Sequence, residues 1–177
     1  MTIVNDKARK LYLVGHGHLD PVFMWRWQEG YEAARATFRS VLDRMNEFPD
    51  FHFTSTTTAV LVAIEEHDPA MFKEISQRVE QGRWELAGGW WVEPDTNLVH
   101  GESLVRQALH GQLELRRMFG RIATIGLNPD TFGHSAVLPQ LLRLSGADAY
   151  VFMRPERYES TIDTNGFIWA GDAGAEL

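Results

Sequence analysis

Apolar positions along the chain follow two alternating patterns, short continuous runs and longer stretches with helical spacing. The short runs predict buried β-strands, because a strand covered on both faces is apolar throughout. The longer stretches predict amphipathic helices, since apolar side chains three or four residues apart share one helix face. The predicted strands are 11–15, 51–54, 84–87, 122–127 and 149–153, and four of the predicted helices are 31–48, 60–67, 102–119 and 137–144.

A further helix is predicted between two strong local signals. Asp68 is suited to cap the exposed amides of a first helical turn, and Pro69 sits where its missing N–H is harmless. Gly82 marks the end of that helix. In the same way, Pro49 marks the end of the predicted helix 31–48, and Gly146 marks the end of the predicted helix 137–144.

The order of these elements predicts an α/β fold with a largely parallel sheet of repeated βα units, as in part of a (β/α) barrel-like domain. A length of 177 residues predicts a single domain, 1–177. Ligands of such folds bind at the carboxyl ends of the strands. Polar clusters should therefore follow the predicted strands, and they do, at 15–21, 88–95, 128–134 and 154–156.

Composition narrows the chemistry. The net charge of −7, without a basic region, argues against nucleic-acid binding. The absence of cysteine excludes disulfides and thiolate metal sites, so any metal must be held by His, Asp or Glu, which favours a cation such as zinc. The polar segment 1–10 and the lack of an apolar run of about 20 residues predict a cytoplasmic protein with no membrane partner.

The segment after the first predicted strand is a candidate metal site. His16, His18 and Asp20 alternate, so in an extended backbone their side chains point the same way. Imidazole nitrogen and carboxylate oxygen both bind zinc at about 2.0–2.2 Å. The alternative is a polar loop whose histidines hydrogen-bond to the backbone.

Asp130 is a candidate functional carboxylate, because Pro129 and the Phe-Gly-His turn after it restrict the local backbone. The alternative is that Asp130 caps the next helix, a role that Ser135 also fits. Arg154 is suited to bind a substrate hydroxyl or to neutralise nearby acids, unless it forms only a surface salt bridge.

Two tryptophans precede two acids in the cluster after the third strand. Trp90 and Trp91 beside Glu93 and Asp95 suggest an aromatic wall with carboxylates at its lip, which suits a sugar with flat C–H faces and hydroxyl groups. The alternative is that at least one of these tryptophans belongs to the core.

Four blocks together resemble the amino-terminal catalytic region of glycoside hydrolase family 38, the α-mannosidases. They are HGHLDP from His16, GGWWVEPDTN from Gly88, GESLVRQ from Gly101 and DTFGHSAVLPQ from Asp130. The resemblance extends from about Leu11 to the end of the chain, and it is the ordered set that is specific to the family.

The resemblance implies a zinc-dependent (or other divalent-cation-dependent) retaining hydrolase acting on mannose-containing oligosaccharides. By position, His18 and Asp20 match metal ligands, and Asp130 matches a residue that is both ligand and nucleophile. Phe132 and Arg154 match positions that line the sugar site, whereas His16 supports the loop. Phe23 stands where the family usually has tryptophan, which implies altered sugar stacking.

The family's fourth ligand, a histidine, and its acid/base carboxyl come from segments beyond position 177. The resemblance therefore implies a fragment of a longer protein, weakly active or inactive alone, with an incomplete barrel edge open to self-association. Two alternative functions stay open, a metal-dependent polysaccharide deacetylase and a non-catalytic module that binds sugar or metal.

Overall fold

The computed structural model describes residues 11–156, 158–159, 162, 164–171 and 174–177. Within these residues, strands and helices alternate along most of the chain. In order, the elements are β1 (Gly15–His16), α1 (Trp27–Glu47), β2 (Phe53–Thr57), α2 (Thr58–His67), α3 (Pro69–Glu80), β3 (Trp84–Trp90), α4 (Gly101–Phe119), β4 (Ile125–Asn128), α5 (Leu138–Leu144) and β5 (Ala149–Phe152).

Every ladder between these strands is parallel, which confirms the predicted α/β class. One sheet has the order β1-β2-β3, and a second pairs β4 with β5. The two sheets meet where β3 lies beside β4, and there the Trp90 indole N–H donates a 2.8 Å hydrogen bond to Asn128 Oδ1. Closure of these sheets into a barrel stays a prediction.

The core consists of two apolar clusters. The larger cluster joins α1, α2, α3 and Leu115 of α4 to the first sheet. Phe38, Phe53 and Trp84 are in edge-to-face contact at its centre. The smaller cluster lies between α4, α5 and the second sheet; its buried members are Trp90, Ala108, Leu138, Leu142 and Ala147. None of the described helices is both long and apolar enough to span a membrane.

The prediction of a buried strand at 11–15 is wrong for residues 11–14. Only Gly15 and His16 pair with β2, and the side chains of 11–14 are 55–82% exposed. The observed register, Gly15 opposite Phe53, would place 11–14 opposite 49–52. The chain there is leaving α1, and Pro49 has no N–H to donate, so the ladder stops.

The predicted strand 122–127 begins later than expected, at Ile125. The Gln112 side chain of α4 accepts a hydrogen bond from Ala123 N (2.9 Å) and donates one to Ala123 O (2.8 Å). Ala123 is therefore hydrogen-bonded to a side chain rather than to a strand.

Local signals placed most helix ends within one or two residues. Asp68 caps α3 by accepting a 3.1 Å hydrogen bond from Met71 N. The first helix starts four residues before the predicted Tyr31, because Glu29 accepts a hydrogen bond from Arg26 N and so extends the helix backwards. Strands β2 and β3 run on to Thr57 and Trp90, beyond their predicted ends.

Candidate active site

Polar side chains from four loops meet at the carboxyl ends of the parallel strands. His18 follows β1, Glu93 follows β3, Asp130 follows β4 and Arg154 follows β5. His18 Nδ1 lies 3.1 Å from Glu93 Oε2, the Asp130 N–H donates to Glu93 Oε1, and Arg154 donates to Asp130. The predicted position of the polar clusters is thus confirmed.

Two glycines shape the loop that brings Glu93 to this position. Gly88 and Gly89 have φ values of 81° and 72°, a left-handed conformation that non-glycine residues rarely adopt. They interrupt the β2–β3 register between Ser55 and Thr57. This irregularity re-aims the end of β3 towards the loop after β4.

His18, Asp20 and Asp130 form a group suited to hold a metal ion. One ligand atom from each lies within 4.8 Å of the others, and His18 Nε2 is 3.4 Å from Asp20 Oδ1. Zinc ligands at about 2.0–2.2 Å in a tetrahedral arrangement lie about 3.3–3.6 Å from one another, so the widest pair of this group would have to approach by up to about 1.2 Å.

The state of the His18 ring supports this fit. Among the described residues neither ring nitrogen has a hydrogen bond of ordinary geometry, although both atoms are buried. A buried polar atom without a partner is costly, and a cation would satisfy one of these two nitrogens. The neighbouring Glu93 carboxylate raises the pKa of His18 above its usual value, against the opposing effect of burial.

Glu93 is the residue whose role the sequence did not reveal. Its side chain is only 7% exposed, so it lies beneath the loops and not at the lip of an aromatic wall. Its Oε1 accepts hydrogen bonds from Asp130 N (2.8 Å) and from Thr131 Oγ1 (2.9 Å). The signal available in the sequence was that Glu93 directly follows Trp90, Trp91 and Val92. An acid among apolar neighbours is rarely buried unless it is paired or hydrogen-bonded.

The other members of that cluster are structural. Trp90 is core, as the alternative interpretation allowed, and Trp91 is half-buried. Asp95 Oδ1 accepts a 3.2 Å hydrogen bond from Asn97 N and so stabilises its own turn. The aromatic wall with two carboxylates is therefore not the arrangement that forms.

Asp130 faces the site and does not cap a helix. Helix α5 begins at Leu138 without a side-chain cap, so neither Asp130 nor Ser135 has that role. The Arg154 Nε donates a 2.8 Å hydrogen bond to Asp130 Oδ1, and its guanidinium lies 4.5 Å above the Phe132 ring. Of the two uses foreseen for Arg154, neutralising a nearby acid is the one observed.

His134 supports Arg154 from below. Its Nε2 is hydrogen-bonded to the Arg154 carbonyl, and its Nδ1 to the Tyr150 hydroxyl (2.8 Å). His16 has a comparable supporting position, with Nδ1 3.2 Å from Thr54 O, and it is outside the metal-binding group of the described residues. Burial lowers the pKa of His16, in keeping with a neutral structural histidine.

Residues 8–177 match the Glycosyl hydrolases family 38 N-terminal domain. The chain belongs to glycosyl hydrolase family 38. Its blocks at 16–21, 88–97 and 130–140 contain the site residues His18, Asp20, Glu93 and Asp130.

Relatives in family 38 include proteins from distant eukaryotes. The chain is 31% identical over 174 residues to alpha-mannosidase G of Dictyostelium discoideum, covering 98% of this chain and 16% of that protein. It is 32% identical over 169 residues to an alpha-mannosidase of Saccharomyces cerevisiae, covering 94% of this chain and 16% of that protein. The chain therefore spans about a sixth of the length of these relatives.

The fold agrees with a solved family 38 structure. An alpha-mannosidase from Enterococcus faecalis V583 superposes with a TM-score of 0.80 at 25% identity, covering 93% of this chain and 19% of that protein. The loops that hold His18, Glu93 and Asp130 thus lie on a family 38 scaffold.

Phe23, where the resemblance implies a tryptophan, lies close to the group that could hold a metal. It lies on the same loop as Asp20 and is 66% exposed, with its ring edge-to-face against Trp25 at 5.5 Å. The Trp25 indole N–H donates a 3.0 Å hydrogen bond to Asp20 O, so the aromatic pair is held against the segment of the candidate metal site.

Proposed function

We propose that this chain contributes the metal-binding and nucleophile half of a retaining glycosidase that hydrolyses terminal α-mannosides. The observation that supports the proposal is the convergence of His18, Asp20 and Asp130, with Arg154 donating to the same Asp130 carboxylate. The relatives are named alpha-mannosidases, which supports α-mannosides as the substrate class, and we propose mannose-containing oligosaccharides as the substrates.

His18, Asp20 and Asp130 would hold zinc or another divalent cation. When bound, such a cation would supply Lewis-acid contacts to sugar hydroxyls and favour a ring distorted towards the transition state. The donor set, one imidazole and two carboxylates, is one that zinc accepts.

Asp130 is the proposed nucleophile. One carboxylate oxygen forms a bond to the anomeric carbon as the glycosidic C–O bond breaks, and the leaving oxygen takes a proton from a second carboxyl group; water then cleaves the glycosyl ester. Arg154 orients the carboxylate and balances its charge through the 2.8 Å hydrogen bond to Oδ1.

Glu93 is a poor candidate for that second carboxyl group. Its side chain is buried, and Oε1 already accepts hydrogen bonds from the backbone of the nucleophile and from Thr131. A proton donor must reach the leaving oxygen on the exposed side of the sugar. We therefore assign the acid/base to the segments that family 38 members have beyond position 177.

Phe132 and Phe23 are the proposed sugar-binding surfaces. Phe132 is 72% exposed although it adjoins the buried Thr131, and the Arg154 guanidinium holds one face of its ring. Exposed aromatic rings of this kind offer apolar faces on which the C–H face of a pyranose packs.

Metal content tests the first half of the proposal. After dialysis against buffer with trace zinc, we expect the wild-type chain to retain stoichiometric zinc and Asp130→Ala to lose it, because the substitution removes one of three ligands. Arg154→Lys is the matched control, since it leaves all three ligands in place. Zinc retained equally by Asp130→Ala, or absent from the wild type, contradicts the metal assignment.

An activated substrate tests the second half. An aryl α-mannoside with a strongly acidic phenol needs no proton donor, so its cleavage reports on the nucleophile alone. We expect slow release of the phenol by the wild type, none by Asp130→Asn, and an α-configured first product by NMR. A β-configured first product would exclude a retaining mechanism. Release of acetate from N-acetylated sugars would favour a deacetylase. Binding of mannose without cleavage of the mannoside would favour a non-catalytic module.

A further inference from the structure

Glu93 joins the two loops that carry the proposed ligands. Its Oε1 accepts the Asp130 N–H on one side, while Oε2 lies 3.1 Å from His18 Nδ1 on the other. The side chain is 7% exposed, and Oε2 has no hydrogen bond of ordinary geometry among the described residues. One oxygen of this buried carboxylate is thus hydrogen-bonded to the loop of the proposed nucleophile, and the other oxygen lies next to a proposed ligand histidine.

The chemistry of this contact favours one tautomer of His18. An ionised carboxylate only accepts hydrogen bonds, so the imidazole nitrogen that faces it must carry the proton. With the proton on Nδ1, the lone pair lies on Nε2, the nitrogen that is 3.4 Å from Asp20 Oδ1. The opposite tautomer would turn a lone pair towards a buried carboxylate and would block Nε2 as a ligand.

We propose that Glu93 is a positioning residue that fixes His18 in the Nδ1–H tautomer, so that Nε2 is free to bind the metal, and that ties this histidine to the Asp130 loop. The part that concerns metal binding rests on the proposed function; the tautomer does not, because it follows from the contact within the protein. Glu93 reaches the metal only through His18 and through the Asp130 backbone.

Glu93→Gln is the variant that separates charge from shape. Its carbonyl oxygen keeps the acceptor for Asp130 N and Thr131 Oγ1, which leaves the amide NH₂ facing His18 Nδ1. Nδ1 must then accept, and the ring proton moves to Nε2. We expect zinc to bind about 10–100-fold more weakly than to the wild type, the usual effect of losing a partner of a ligand histidine. Competition with a chromophoric chelator measures this ratio.

Thr131→Val is the matched control. It removes the hydrogen bonds of the Thr131 hydroxyl with the Glu93 carboxylate, Pro94 O and Asn128 Nδ2, at the same buried place, without changing what faces His18. We expect unchanged zinc affinity in this variant, with near-UV circular dichroism and thermal unfolding reporting its packing and stability. Equal loss of zinc affinity in both variants would mean that Glu93 only supports the loop, and the proposal would be wrong.

The tautomer is measured in the metal-free protein by ¹H–¹⁵N NMR of the His18 ring, at a pH high enough that the ring is neutral, and the signals are assigned by comparison with His18→Ala. We expect Nδ1–H in the wild type and Nε2–H in Glu93→Gln. Wild-type Nε2–H overturns the proposal whether or not the variant folds, as does a tautomer that is the same in both proteins. If the wild type binds no zinc but the tautomer changes as expected, the proposed metal function fails and the assignment of Glu93 holds.

Discussion

Gly111 lies in the middle of α4, where this helix passes over the end of β3. A Cβ atom at this position would lie 2.3 Å from Gly89 O and 2.5 Å from Trp90 C, well inside the 3.0 Å below which real Cβ contacts essentially never occur. Both contacted atoms belong to the backbone, so no side-chain rotation relieves the clash. Gly111→Ala therefore requires α4 to move away from β3 by roughly 0.7 Å.

Two opposing effects set the size of the change. Alanine in place of glycine inside a helix normally stabilises by about 0.8–1.0 kcal/mol, whereas overpacking a close contact costs about 1–3 kcal/mol and occasionally more. Because the clash is with two backbone atoms, we expect overpacking to dominate. The net loss should be about 2 kcal/mol in the free energy of unfolding, or about 4–8 °C in Tm for a chain of this size.

Urea unfolding followed by far-UV circular dichroism measures this loss, with an unchanged m-value as the sign that only stability has moved. Gly101→Ala is the matched control on the same helix, since its Cβ would meet nothing within 4 Å. We expect that variant to be neutral or slightly stabilised. A Gly111→Ala protein as stable as Gly101→Ala would refute the close approach of α4 to β3.

Two further predictions concern stability. Trp90→Phe removes the hydrogen bond to the fully buried Asn128 Oδ1 and leaves a cavity, so we expect the free energy of unfolding, measured in urea, to fall by about 2–4 kcal/mol. A loss below about 1 kcal/mol would contradict the importance given to this hydrogen bond for the packing of β3 against β4. Two hydrogen bonds from Arg39 (2.9 and 3.0 Å) lower the pKa of Glu74. A lowered carboxyl pKa means that the ion pair stabilises the fold above the unfolded pKa of about 4.3, and that this stabilisation is lost as pH falls through the folded pKa. Glu74→Gln should therefore be less stable than the wild type by under about 1 kcal/mol at pH 7, and the difference should shrink as the pH is lowered below about 4.3. A difference that stays the same size from pH 7 down through acid pH would refute the electrostatic origin.

The sequence predicted those features that depend on neighbouring residues. Asp68 and Pro69 mark the start of α3 because capping needs only the next few backbone amides. The meeting of the loops after β1 and β4 was also predictable, since parallel strands bring their carboxyl ends to one edge.

Other features depend on partners that are distant in the sequence. Residues 11–14 have the composition of a buried strand, but the β1–β2 register leaves them opposite the end of α1. The delayed start of β4 depends on Gln112, a helix residue that no strand pattern includes. The direction of the Glu93 side chain depends on the irregular end of β3, which appears in the sequence only as two adjacent glycines.

The position of the candidate metal site between the two sheets has a consequence for the unfolding of the chain. His18 and Asp20 extend from the sheet of the larger cluster, and Asp130 from the sheet packed in the smaller one. A cation held by all three would act as a crosslink between the two halves, adding about 2.7 kcal/mol at a free concentration one hundred times its Kd. We expect chelation to lower the temperature of a single unfolding transition, because Leu115 of α4 is buried in the larger cluster and couples the two sheets.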